Sequence, residues 1–131
     1  MVEIKSTTGK EDHEVIITSG SGHTIISDEP IDVGGKNKGM SPSELLISAL
    51  TACTTATIQM YVNLKGWKLN AIHIHIKWEK ESAKDLGSIH REIELEGDLS
   101  EEQRERILRV ANKCPIHKVL TNPMEITTAL K

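Results

Sequence analysis

The sequence predicts an α+β fold, and three observations carry the prediction. A long uncharged helix occupies the middle of the chain, runs of alternating apolar and polar residues lie on both sides of it, and a second, amphipathic helix follows near the C-terminus. The 131 residues fit a single domain, 1–131, long enough for a core that needs no disulfide staples. No internal repeat, low-complexity segment or linker divides them.

The N-terminal third reads as β structure. Residues 1–5 already alternate, residues 14–18 are β-branched and apolar, Ser19-Gly20-Ser21-Gly22 forms a turn cluster, and residues 23–27 resume a strand, so a hairpin is expected. Asp28-Glu29-Pro30 ends it. Residues 32–40 are polar and glycine-rich, but the glycines do not follow a phosphate-binding spacing, and a connecting loop is the expectation.

Residues 41–67 organise the chain. Ser41 is placed to be the N-cap, Pro42 to take the first helical position, and Glu44 to close a Ser-x-x-Glu capping box. From Leu45 to Leu64 no residue is charged, and Gly66 supplies the stop. A helix apolar nearly all round must be surrounded by protein or by lipid. Ser48, Thr51, Thr54, Thr55, Thr57, Gln59 and Asn63 recur too often for a membrane span, so protein is the expected surrounding.

After this helix, Ile72, Ile74, Ile76 and Trp78 alternate with His73, His75 and Lys77, the period of a strand with one buried face. Residues 79–88 form a charged loop and residues 89–96 alternate again. The inward register of that second strand reads Ile89, Arg91, Ile93, Leu95, with Arg91 as the anomaly. Ser100 and Gln103 make another capping box, and Ile107, Val110, Ala111 and Cys114 share one helical face. Pro115 is expected to end that helix. Met124, Ile126, Thr128 and Leu130 alternate as a last strand over residues 124–130.

Composition narrows the function. A net charge of −3 with both signs mixed, no Phe, and only Tyr61, Trp67 and Trp78 as aromatics argue against a nucleic-acid partner. No basic stretch followed by an apolar run opens the chain, and a cytoplasmic location is the expectation. In that compartment two cysteines are free, catalytic or metal-bound more often than bridged.

Chemistry therefore centres on Cys53 and Cys114. They are either two buried small hydrophobes or a redox pair, one attacking and one resolving, and spacing alone leaves both open. With Cys114 at a helix C-terminus, where the dipole disfavours a thiolate, Cys53 is the better nucleophile of the two. A reactive Cys53 needs a nearby cation. Arg91 has the inward register for that role or for reaching solvent, and Lys36, Lys38 and His117 are weaker candidates. Glu44 invites a general-base role, but nine residues along a helix turn it away from Cys53, and capping is its better-supported duty. His73, His75 and His90 on one outer face, with Cys114 and His117, are weighed as metal ligands; no metal-binding spacing accompanies them, and solvated histidines are the default.

The chain also resembles a known family. Asp28-Glu29-Pro30, Gly34-Gly35, residues 39–46, Ala52-Cys53, Met60-Tyr61 and Lys65-Gly66-Trp67, followed by Arg91, Gly97 and Cys114-Pro115-Ile116-His117, look like the OsmC/Ohr family of hydroperoxide-detoxifying proteins, nearest its OsmC-like branch. The resemblance implies antiparallel sheets wrapped around long central helices in an intertwined homodimer. It implies a thiol peroxidase with Cys53 as the peroxidatic and Cys114 as the resolving cysteine. The substrate would be a small hydroperoxide and the reductant a dithiol, with no metal, flavin or haem. In the family a glutamate lies ten residues before the peroxidatic cysteine, where this chain has Ser43, and an N-terminal arginine assists the thiolate, where this chain has none before Arg91. Glu44 and Arg91 are the substitutes expected here. The alternative is a non-catalytic, stress-associated or apolar-ligand-binding protein on the same fold.

Overall fold

The computed structural model describes Met1–Lys131, which fall into two compact units, Met1–Leu46 and Ile47–Lys131. Mixed α and β elements, antiparallel sheets and one long helix make the architecture α+β, as the alternation patterns require.

In the first unit, β1 (Ile4–Thr8), β2 (Val15–Ser19) and β3 (Thr24–Ser27) form an antiparallel sheet in the order β1-β2-β3. The β2–β3 register runs from Val15 opposite Ser27 to Thr18 opposite Thr24. Gly22, at φ 94°, supplies the left-handed turn residue between them. The segment expected to be a plain connector is organised instead. The buried Asp28 carboxylate accepts backbone N–H groups from Glu29 (2.8 Å), Lys38 (3.1 Å) and Lys36 (3.2 Å), so the loop folds back around one side chain. Gly35 and Gly39 permit that path: a Cβ on either would collide with the carbonyl of Glu29 or Ile26.

Helix α1 (Pro42–Lys65) starts in the first unit and runs through the second. The capping box is present: Ser41 N–H donates to Glu44 Oε2 at 3.1 Å, and Glu44 N–H donates to Ser41 Oγ at 3.3 Å. Gly66, at φ 69°, ends the helix in the left-handed conformation. Leu50, Thr54, Ile58 and Val62 are buried at four-residue intervals, forming a single buried stripe.

In the second unit, that stripe meets β4 (Ala71–Glu79), β5 (Ser88–Glu96) and α2 (Glu101–Ala111). Ile58, Val62, Ile107 and Ala111 form the core, with Tyr61, Trp67, Leu69, Ile72, Ile93, Leu95 and Leu99 packed against it. The β4–β5 hairpin pairs Ile72 with Leu95, Ile74 with Ile93 and Ile76 with Arg91, which puts Arg91 on the inner face as its register predicts. The Ser100–Gln103 capping box forms at the start of α2.

Two expectations for the C-terminal region fail. The second helix ends at Ala111 with Asn112 as its C-cap, and a further helix, α3 (Pro115–Leu120), begins directly after Cys114. Pro115 opens a helix here, a position where its missing N–H costs nothing. Residues 124–130 form no strand and are exposed. They pair with neither sheet of this chain.

Candidate active site

Both cysteines belong to the second unit. Cys53 lies midway along α1, half-buried, one residue before the fully buried Thr54. Cys114 is fully buried, at 0% exposure, and is the N-cap of α3. A tight exit from α2 delivers it: Lys113 N–H donates to the Val110 carbonyl at 2.9 Å and Cys114 N–H to the Ala111 carbonyl at 3.4 Å. The Cys114 sulfur then accepts the His117 backbone N–H at 3.4 Å, as an N-cap side chain does. Both cysteines are free, and their thiols are close enough for each to perturb the ionisation of the other.

Their environments differ in sign. Burial, reinforced by the contact with Cys114, pushes the Cys53 thiol up; the Ile116 amide and the Thr57 hydroxyl oppose this without overcoming it. Burial also pushes Cys114 up, but the Cys53 thiol, the His117 and Ile116 amides and the Thr54 hydroxyl outweigh it, and the thiol is lowered. The two thiols titrate as a pair rather than singly. The structure overturns the expectation that Cys114 sits at a helix C-terminus: the residue faces the amides of a helix start, where a thiolate is favoured.

Arg91 reaches this region from β5, and none of its partners is a carboxylate. Nη1 donates to Thr54 Oγ1 at 2.8 Å, while Nη2 donates to Asn112 Oδ1 at 2.8 Å and lies 3.4 Å from His117 Nδ1. For Nδ1 to accept, the ring proton of His117 must be on Nε2. Thr54 passes the chain on, donating to the Leu50 carbonyl at 2.7 Å. Arg91 therefore makes no hydrogen bond to either sulfur; it binds residues beside them. Thr54 and Asn112 escaped the sequence reading because nothing local marks them as the acceptors of a distant arginine.

Of the five residues expected at the site, the structure brings Cys53, Cys114, Arg91 and His117 together. Glu44 is exposed, belongs to the first unit, and has its carboxylate engaged in the helix cap. The histidines of the outer β4–β5 face pair with carboxylates: His73 with Glu96 (3.1 Å), His90 with Glu92 (3.5 Å) and His75 with Glu92 (3.6 Å). No group of three or more His, Cys, Asp or Glu side chains is arranged to hold a metal ion.

A sequence profile of OsmC-like proteins matches residues 35–129, well over half of the chain and including both cysteines. The chain belongs to the OsmC-like family. Solved structures share its fold. An OsmC-like protein of Mycoplasma pneumoniae superposes with a TM-score of 0.76 at 23% identity, covering 92% of this chain and 87% of that one. A protein of Psychrobacter arcticus assigned to osmotic stress induction and the detoxification response gives 0.79 at 22% identity, covering 88% and 85%. The organic hydroperoxide resistance protein OhrB of Bacillus subtilis gives 0.62 at 18% identity, covering 91% and 89%. No curated protein matches the sequence significantly. An OsmC-like fold is thus established, in a family whose solved relatives include hydroperoxide resistance proteins.

Proposed function

We propose that this OsmC-like protein is a thiol-dependent peroxidase that reduces organic hydroperoxides through Cys53 and Cys114. The observation that carries the reading is the pair of free, neighbouring thiols in the second unit. Cys53 is the attacking sulfur because it retains exposure, whereas Cys114 is fully enclosed.

The chemistry follows from where the protons sit. Loss of one proton from the pair, with the remaining proton on Cys114, gives the reacting form, a Cys53 thiolate beside a Cys114 thiol. The thiolate attacks the peroxide O–O bond, forming Cys53 sulfenic acid. The departing alkoxide takes the Cys114 proton and leaves as alcohol. Cys114, now a thiolate, attacks the sulfenic sulfur and expels hydroxide, which is protonated to water. A dithiol reductant returns the Cys53–Cys114 disulfide to two thiols.

A homodimer is part of the proposal. Along α1, Ala49, Ala52, Ala56, Met60 and Leu64 lie on an exposed face, with Met60 72% and Leu64 83% exposed. A second copy of the chain would cover this apolar surface. Two free thiols that depend on a dithiol reductant fit a reducing, cytoplasmic compartment.

The second reading, a ligand-binding or stress-associated protein that reacts poorly, draws on the raised Cys53 thiol and on Arg91 binding Thr54 rather than a sulfur. One equivalent of cumene hydroperoxide separates the two. Intact mass showing loss of two hydrogens supports the peroxidase. Two thiols that remain alkylatable, with tight binding of an apolar ligand, support the alternative.

A further inference from the structure

Arg91 holds residues from both cysteine segments at once. Thr54, next to Cys53 in α1, accepts from Nη1, while Asn112 and His117, which bracket Cys114 by two and three residues, both lie against Nη2. Three acceptors on one guanidinium define a plane, and a planar fork with several donors fixes relative position in a way that a point charge does not. None of the three is a carboxylate, and Arg91 forms no ion pair. Its side chain is half-buried and aimed inward from a strand register otherwise filled by Ile93 and Leu95. The helix that follows Cys114, α3, is only six residues long, and residues 122–131 beyond it are exposed.

We propose that Arg91 is a positioning residue for disulfide closure: it fastens the 112–117 segment to α1 and so fixes the approach of the Cys114 sulfur to Cys53. The inference rests on the peroxidase reading for its biological meaning. Its physical content, that Arg91 raises the effective concentration of one thiol at the other, stands apart from any peroxide. It also separates two steps. Attack of Cys53 on a hydroperoxide needs no particular placement of Cys114 beyond proton exchange, whereas closure of the disulfide does.

The test uses the whole 131-residue chain equilibrated in glutathione buffers, where protein dithiol and oxidised glutathione give protein disulfide and two reduced glutathiones. The fraction of Cys53–Cys114 disulfide, read by intact mass, gives the effective molarity of the pair. Arg91→Met is expected to lower it about tenfold or more, and Asn112→Ala, which removes one exposed acceptor, about threefold. Asn112→Asp keeps an acceptor oxygen and is expected to retain the wild-type value. In a parallel hydroperoxide reaction, dimedone capture of Cys53 sulfenic acid is expected to rise in Arg91→Met relative to disulfide, a partition that simple loss of stability does not produce. A folded Arg91→Met with the wild-type effective molarity overturns the proposal. If that variant does not fold, Asn112→Ala decides in the same way. A wild-type protein that reaches the disulfide with glutathione but not with peroxide would refute the peroxidase and leave the positioning role standing.

Discussion

Replacing Thr54 by valine isolates one link of the site. Thr54 is fully buried, accepts from Arg91 Nη1 at 2.8 Å and donates to the Leu50 carbonyl at 2.7 Å. Valine matches threonine in size, so no cavity opens, and the Leu50 carbonyl keeps its helical N–H partner. The loss is the acceptor of a charged donor. Hydrogen bonds to charged groups contribute about 1.5–3 kcal/mol. Arg91 is half-buried and regains part of this from water, which leaves a cost of about 1–2 kcal/mol. Urea unfolding at fixed protein concentration reads that cost as a lower midpoint at unchanged slope. A double-mutant cycle with Arg91→Met assigns it, because most of the valine cost should vanish once the guanidinium is gone. A Thr54→Val protein as stable as wild type, or a cost that adds in full to that of Arg91→Met, would refute the Arg91–Thr54 link.

Two further outcomes are expected. The Asp28 carboxyl is held below the usual carboxylate range, first by the Lys38 N–H against the opposing effect of burial, with Glu29 and Lys36 amides and His13 assisting. Its lowered value means stability that is present above the unfolded-state value of about 3.9 and lost as pH falls through the folded one, so Asp28→Asn should lower stability at neutral pH and flatten the acid limb of an unfolding profile; identical acid limbs would contradict this. Sedimentation equilibrium should give twice the chain mass, and Met60→Lys should shift the protein to monomer; a wild-type monomer at all concentrations, or co-sedimentation with lipid vesicles instead of self-association, would remove the dimer.

Much of the fold was legible because local chemistry and tertiary need agree. The Ser41–Glu44 box, the Gly66 stop and the β4–β5 alternation each have a single physical reading, and each is realised. Arg91 stood out for the same reason, as a charge in an apolar register. Other features were hidden by position in space. Asp28 organises its loop through backbone amides, which leave no side-chain pattern. Pro115 suits a helix end and a helix start equally, and only the six residues that follow reveal which; reading it as a terminator placed Cys114 at the wrong pole of a dipole. Residues 124–130 alternate as a strand should, yet alternation reports only a face and not a partner, and they pair with neither sheet of this chain.

The central claim is that Cys53 and Cys114 act as one redox unit. Peptide mapping after one equivalent of cumene hydroperoxide, under non-reducing conditions, tests it most directly. The expected product is a single Cys53–Cys114 linked peptide that disappears on dithiothreitol treatment and is absent from Cys53→Ser. Two separately alkylated cysteines after full consumption of the peroxide by other routes, or with the peroxide left intact, would contradict it.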